Sequence, residues 1–328
     1  MREHLASARV DLSRSASESE LRWSEACELF AEREARRRPR SADDQPLQPG
    51  DPEKHHEIPQ FWLKGFAEDV EAGLMLASVD RFGSADQVPV SQAAMTRSFY
   101  MTTNDAGAPT VGLERSLGRF ESDAAPAFKS LRSGTPHASS LERLDICRLL
   151  AVQDLRTRPQ VRSSQKAMGG VAGRMAVLAQ HHGHLPPTDE PTQFIGSKEA
   201  ALTSLLDDGI IRVCSKLMFL RQWSLLRAAA PAMGFVLPDH PIVTVSANSS
   251  GIYGPGGIGS ADHLWVPLGP RTMLVMTRPD LANGAHEEMS AHEIEDINRV
   301  LIGRASEKVY CAPSDAAAVS GLAADPGG

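Results

Sequence analysis

Apolar residues recur at three- and four-residue steps through the first two thirds of the chain, and in short unbroken runs after it. Trp23, Cys27 and Phe30 follow helical spacing behind Ser17-Glu18-Ser19-Glu20, a capping-box pattern. They predict a charged helix that closes on Arg36-Arg37-Arg38, where cations suit the helix dipole, and stops at Pro39. Residues 41–52 contain Pro46, Pro49 and Pro52 with one sizeable apolar side chain, Leu47, and read as a linker. Residues 74–79 and 88–90 are apolar runs between turn residues and predict strands. Leu113, Leu117, Phe120, Ala124, Phe128 and Leu131 form an amphipathic stripe. Ser139-x-x-Glu142 opens a helix with Leu141, Leu144, Cys147, Ala151 and Leu155 inward and Pro159 at its end. A third stripe runs over 163–181 through Ala167, Val171, Met175 and Leu178. A fourth runs over 197–221 through Leu202, Leu206, Ile210, Val213 and Leu217.

After Arg221 the pattern changes to β-rich runs at 223–226, 234–237, 242–245, 264–266 and 272–276, separated by turn residues. A helix over 290–304 and a strand over 308–311 close the pattern. Helices first and strands after predict an α+β fold: a helical N-terminal half, then a mostly antiparallel sheet and a closing helix-strand unit. The organisation expected is a charged helix plus linker over 1–53, one α+β domain over 54–313, and a flexible tail over 314–328.

Composition narrows the setting. The chain is 41% apolar and 23% charged, as in ordinary globular proteins. No apolar run is long enough to span a membrane, and the polar N-terminus lacks a secretory core, so a cytoplasmic protein is expected. The net charge of −7 argues against a general nucleic-acid coat, leaving room for a local basic groove. Cys27, Cys147, Cys214 and Cys311 lie far apart and read as small buried residues. The excess of Arg over Lys reads as the codon bias of a GC-rich bacterial genome.

Candidate chemistry lies in few places. His55-His56-Glu57-Ile58-Pro59 puts two imidazoles before a proline that holds Ile58 extended. In an irregular turn both would converge on one point, as metal ligands or acid–base groups. Alternatively, they cap a helix and complete a core. Glu121 sits on the apolar face of its helix, where a carboxylate needs a partner. Gln153 and Arg156 close a long helix, and a guanidinium there suits an anion; Arg158 reads better as a surface cap. Asp239, followed by His240 and Pro241, ends an apolar strand, as a ligand or as an Asx turn. His181-His182-Gly183-His184 lacks a carboxylate at ligand spacing. The glycines around Tyr253-Gly254-Pro255 lack the Lys-Ser/Thr of a phosphate loop.

His55-His56-x-x-Pro59-Gln60-x-x-Leu63-x-x-Phe66 resembles the signature of domain-of-unknown-function family 4238. Gln153-x-x-Arg156-Thr157, Phe235 to Pro241, Pro267-Leu268-Gly269-Pro270, Asn298 and Tyr310 resemble its later segments in order. Trp62 stands where that family usually has Tyr, His240 stands for Asn, and Arg158 intervenes before Pro159. The resemblance implies a map of site residues and no reaction.

Two functions follow as expectations. One is a metal-dependent hydrolase of nuclease or phosphoesterase type. His55, His56, Glu121 and Asp239 would be catalytic, with His55, His56 and Asp239 on a divalent metal. Gln153 and Arg156 would hold an anionic small molecule or nucleic acid. The other is a non-catalytic regulatory or defence-associated binding module whose polar cluster is structural. The N-terminal helix is a candidate for dimerisation through Trp23, Cys27 and Phe30.

Overall fold

The computed structural model describes residues 12–37, 54–97, 99–100, 102–103, 109–110, 112–135, 138–181, 196–229, 233–246, 257–281 and 287–325. The expectations for Arg38, Pro39, the 41–52 linker, His182 to His184 and Tyr253 to Gly256 lie outside the described residues.

The N-terminal helix α1 (Leu12–Arg36) precedes strand β1 (Lys54–His56) and the short helix α2 (Gln60–Leu63). Strands β2 (Glu68–Val70), β3 (Gly73–Asp80), β4 (Ala85–Pro89) and β5 (Met95–Arg97) follow, then the short pair β6 (Thr102–Thr103) and β7 (Pro109–Thr110). The helical layer is α3 (Gly112–Arg132), α4 (Ser140–Leu155), α5 (Arg158–His181), α6 (Lys198–Leu205) and α7 (Asp208–Phe219). The second half holds β8 (Gln222–Ala228), β9 (Leu237–Pro238), β10 (Val243–Val245), β11 (His263–Gly269), β12 (Thr272–Thr277), β13 (Glu287–Met289), α8 (Ala291–Arg304), β14 (Lys308–Cys311) and α9 (Ala316–Ala324).

The α+β expectation holds, with a mostly antiparallel layout, but the N-terminal half is not helical throughout: β1 to β7 precede α3. One sheet runs β10-β11-β12-β8-β13, antiparallel except for the β13–β8 edge. Every residue of β11 and β12 is buried, which is why they read as continuous apolar runs. The second sheet runs β2-β3-β14-β9, with β4 also on β3. It draws strands from both ends of the chain, so the closing strand β14 lies beside the early strand β3. The β3–β4 hairpin turns at Gly83, whose φ of +87° suits a residue without a side chain. The Asp80 carboxylate accepts the N–H groups of Phe82 and Ser84 across that turn.

Helices α3, α4 and α7 cover the first sheet. Trp62, Phe128, Leu150, Leu264 and Leu274 share that core, and Trp62 Nε1–H donates to the Pro267 carbonyl at 2.7 Å. A second core joins the two sheets to α8 and α9. Its polar pin is Asn298, wholly buried, which accepts from Val236 N–H and donates to the Gly234 carbonyl. Those bonds replace sheet partners, so the 234–237 run pairs as a strand only at Leu237–Pro238.

Several expectations change. The capping box Ser139–Glu142 is present at α4. The 197–221 stripe is two helices, because Asp207 accepts from Gly209 and Ile210 N–H and starts α7 afresh. Pro159 lies in the first turn of α5, where its missing N–H costs nothing. The α5 stripe is not buried: Val171, Met175 and Leu178 are exposed. The segment after Pro313, expected as a flexible tail, forms a 3₁₀ turn and α9, with Val319 and Ala323 buried. Helix α1 packs on α4 and α7: Trp23 meets Phe219 edge-on at 5.3 Å, and Arg33 forms a two-bond pair with Asp145. The Trp23, Cys27 and Phe30 face therefore lies against its own chain, which leaves the dimerisation expectation without support.

Candidate functional site

Strand β1 sets the site. It pairs with β5, His55 opposite Thr96 and His56 opposite Met95. Successive strand side chains point to opposite faces, so the two imidazoles diverge instead of converging. His55 is wholly buried; its Nδ1 accepts the Tyr100 backbone N–H at 2.9 Å, and its ring stacks on the Tyr100 ring at 5.7 Å. His56 faces the other way. Its Nδ1 lies 3.1 Å from the Ala93 carbonyl and its Nε2 2.7 Å from the Gln60 amide nitrogen. A carbonyl at one nitrogen and an amide N–H at the other fit the neutral ring, protonated at Nδ1. Burial pushes the His56 pKa down, in agreement, and Arg156 adds to the effect.

Three of the candidate residues, Gln153, Glu121 and His56, gather around Arg156. Its side chain lies wholly inside the protein at the C-terminal end of α4. It donates to Gln153 Oε1 from Nε at 3.0 Å and from Nη2 at 2.7 Å, and Nη2 also reaches Glu121 Oε1 at 3.3 Å. Gln153 in turn donates to the Glu57 carbonyl at 2.6 Å, tying α4 to the end of β1. His56 feels both Glu121 and Arg156. The guanidinium carbon sits 5.3 Å from the Tyr100 ring centre. Burial works against the charge of Arg156, and Tyr100, Glu121 and Glu114 outweigh it, holding its pKa above the ordinary value.

Two further residues complete this cluster. Glu114 lies seven residues before Glu121 on α3, two turns along the same face. Burial pushes its carboxyl up to about 7; Arg156 opposes that rise and Glu121 adds to it. Its Oε2 is buried and has no hydrogen-bond partner. The Tyr100 hydroxyl is likewise buried and unpartnered. Such atoms are rare in folded proteins and mark a place for a water or ligand group. The seven-residue spacing to Glu121 was the available signal for Glu114. Tyr100 had none, being placed by stacking on His55.

Asp239 belongs to a second site. It follows β9, and its carboxylate accepts the backbone N–H groups of Ser306, Glu307 and Lys308, from 2.7 to 3.3 Å. It therefore joins the β9 end to the turn before β14, a bridge between distant segments in place of the Asx turn offered as its alternative. His240 Nε2 lies 3.2 Å from the Ser306 hydroxyl. Arg158, expected as a surface cap, bonds Glu57 Oε1 from Nε and Nη2, at 2.9 and 2.6 Å, and also reaches the Thr96 hydroxyl. A cavity of about 140 Å³ lies among these groups and Tyr310. The proposed metal set of His55, His56 and Asp239 is not brought together. His55 and His56 face apart, and three backbone amides engage Asp239. Among the described residues, no three His, Cys, Asp or Glu side chains are grouped to hold a metal ion.

Glu57 links the two sites, its carbonyl held by Gln153 and its carboxylate by Arg158. Among the described residues, no helix is long and apolar enough to cross a membrane. Neither the curated proteins nor the solved structures compared with the chain gave a match. The model of one family, described as a protein of unknown function (DUF4238), matches residues 54–315, the span that carries both sites. The chain belongs to the DUF4238 family.

Proposed function

We propose that the chain is a hydrolase acting by acid–base chemistry at the Arg156 cluster, on an ester or phosphoester that carries an anionic group. The observation that carries this reading is Glu114: a carboxyl held near 7, with an unpartnered buried oxygen, beside a guanidinium. A carboxyl shifted to neutrality by burial can donate a proton at working pH, while a second carboxylate in a different setting stays charged. Glu114 and Glu121 have such different settings. Glu114 Oε2 is sealed, whereas the Glu121 side chain is 28% exposed and paired to Arg156.

The charges suggest an order of events. With Glu114 protonated, Arg156 and Glu121 balance. The Glu121 bond to Arg156, at 3.3 Å, is longer than the two Gln153 bonds. An incoming anionic group would displace Glu121 from Arg156. The freed carboxylate would then take a proton from attacking water, while Glu114 protonates the leaving oxygen. His56 stays neutral and positions Gln60. This scheme draws on no metal, because His55, His56 and Asp239 do not converge.

The test is turnover of p-nitrophenyl acetate, p-nitrophenyl phosphate, bis-p-nitrophenyl phosphate and single-stranded DNA by the full chain. Turnover of one class is expected, with kcat falling by roughly 10²–10⁴-fold in Glu114→Gln. Failure on all four, or a kcat unchanged in that variant, contradicts the reading. The bonds from Arg156 through Gln153 to Glu57 also suit the second reading, a binding module whose cluster holds α3, α4 and β1 together. That reading predicts loss of stability in Arg156 variants and no turnover in the wild type.

A further inference from the structure

Helices α3 and α4 carry a second constellation on the side away from Glu114 and Gln153. A cavity of about 490 Å³ lies between them and helices α1, α6 and α7. That size falls in the range of small-molecule sites. Half of its described lining is apolar, with Phe30, Leu117, Phe120, Val152 and Ile211 among those residues, and Arg148 stands in their midst, while Arg37 and Arg119 share the lining.

Arg148 is unusually placed for an arginine. Its side chain is 16% exposed, and its guanidinium carbon sits 4.3 Å from the Phe30 ring centre and 5.1 Å from that of Phe120. Burial lowers its pKa. Asp208 is 4.0 Å away, 93% exposed and beyond hydrogen-bonding distance, and Glu34 and Asp145 act on Arg148 electrostatically without an ion pair or hydrogen bond to it among the described residues. A guanidinium enclosed by aromatic rings, with its N–H groups unmatched by a bonded carboxylate, is a receptor for an anionic group. Other rim charges differ. Arg37 forms a two-bond pair with Asp123, at 2.5 and 3.0 Å, and also bonds Glu34.

We propose that this cavity binds an amphipathic monocarboxylate, an aliphatic acid whose carboxylate pairs with Arg148 and whose chain lies along Phe30, Leu117, Phe120 and Ile211. The apolar part of the lining supplies burial for the aliphatic chain. A monoanion fits better than a phosphate dianion, because the charges around Arg148, namely Glu34, Asp123 and Asp208 against Arg37 and Arg119, already leave one net negative charge. The site gives helix α1 a role beyond packing, since Phe30, Glu34 and Arg37 form one of its walls. This proposal does not depend on acid–base chemistry at Arg156.

The experiment is calorimetric titration of the full chain with decanoate, and with decanol as the uncharged control. Decanoate is expected to bind at one site, with decanol at least tenfold weaker. Arg148→Gln should weaken decanoate by on the order of 30-fold or more, while Arg148→Lys recovers part of that loss. Leu206→Trp, at a partly exposed wall position, should block decanoate with the thermal midpoint retained. Each variant is accepted only with wild-type helical content by circular dichroism. Should Arg148→Gln not fold, the decanol control and Leu206→Trp decide. The proposal is overturned if decanoate does not bind, if decanol binds equally well, or if folded Arg148→Gln or Leu206→Trp binds decanoate like the wild type.

Discussion

Glu121 Oε1 stands 3.3 Å from Arg156 Nη2, joining a partly exposed carboxylate on α3 to a guanidinium that lies wholly inside the protein. The pair bridges solvent and interior, and the rest of the cluster depends on it. Removing Arg156 strands Gln153 Oε1 and deprives Glu121 and Glu114 of their cation. Breaking a buried ion pair at one partner costs about 3–5 kcal/mol. Arg156→Met should lower unfolding stability by that amount in urea titrations, with a normal m-value. It should also raise the Glu114 pKa further, because Arg156 opposes its rise.

Glu114 makes stability depend on pH in an unusual direction for a carboxyl. Its folded pKa of about 7 lies above the ordinary 4.5. The folded chain therefore keeps a proton that the unfolded chain loses between those values. Its contribution is full below about pH 4.5 and is lost as pH rises through 7, by about 3 kcal/mol. Burial lowers the His56 pKa, so its effect runs the other way: stability is lost as pH falls below 6.5 through its folded pKa. Glu114→Gln should thus gain stability relative to wild type by about 2.5 kcal/mol on going from pH 5 to pH 8. Paired denaturation curves at the two pH values check this; an equal difference at both would contradict it.

Asp239 is placed as a fastener of backbone rather than a ligand. Its carboxylate accepts from three consecutive amides that lead into β14. Hydrogen bonds to a charged group are worth about 1.5–3 kcal/mol, and the amides here are partly exposed. Asp239→Ala should therefore cost about 2 kcal/mol in chemical denaturation. The loss should be the same with and without EDTA, whereas a metal role would make it depend on the chelator.

Trp23 ties the N-terminal helix to the main body. It is 6% exposed and meets Phe219 edge-on. Truncating such a side chain costs about 3–5 kcal/mol. Trp23→Ala should lower the thermal midpoint while leaving the molar mass by light scattering unchanged. A change of mass at equal stability would restore the dimerisation reading.

These outcomes trace back to what the chain displays as pattern. Apolar periodicity is local, so α3, α4, α8, β11 and β12 are legible: α3 and α8 bury a stripe, β11 and β12 a continuous run, and α4 is buried on most sides. The cap at Asp207 shows why the 197–221 stripe was not, since a side-chain bond there interrupts a helix whose apolar spacing continues. His55 and His56 were identified as functional candidates, yet their directions depended on pairing with β5, a partner forty residues away that adjacent residues do not reveal. Glu121 is legible because a carboxylate on an apolar helical face needs a partner, and Gln153 and Arg156 because a guanidinium at a helix end suits an anion. Glu114 lies on the Glu121 face, and its seven-residue spacing from Glu121 is the sole sequence signal for it. Tyr100 and the cavity around Arg148 are products of tertiary packing alone. The α5 stripe marks the opposite case, a helical pattern whose apolar positions face outward.

The proposed chemistry requires a carboxylic acid that keeps its proton near neutrality beside Arg156. The direct measurement is a carbon-13 NMR titration of side-chain carboxyls in glutamate-labelled protein, with Glu114→Gln to assign the resonance. A Glu114 midpoint of about 7 is predicted. A midpoint near the ordinary 4.5 would leave no acid at the site at working pH and would contradict the proposed chemistry.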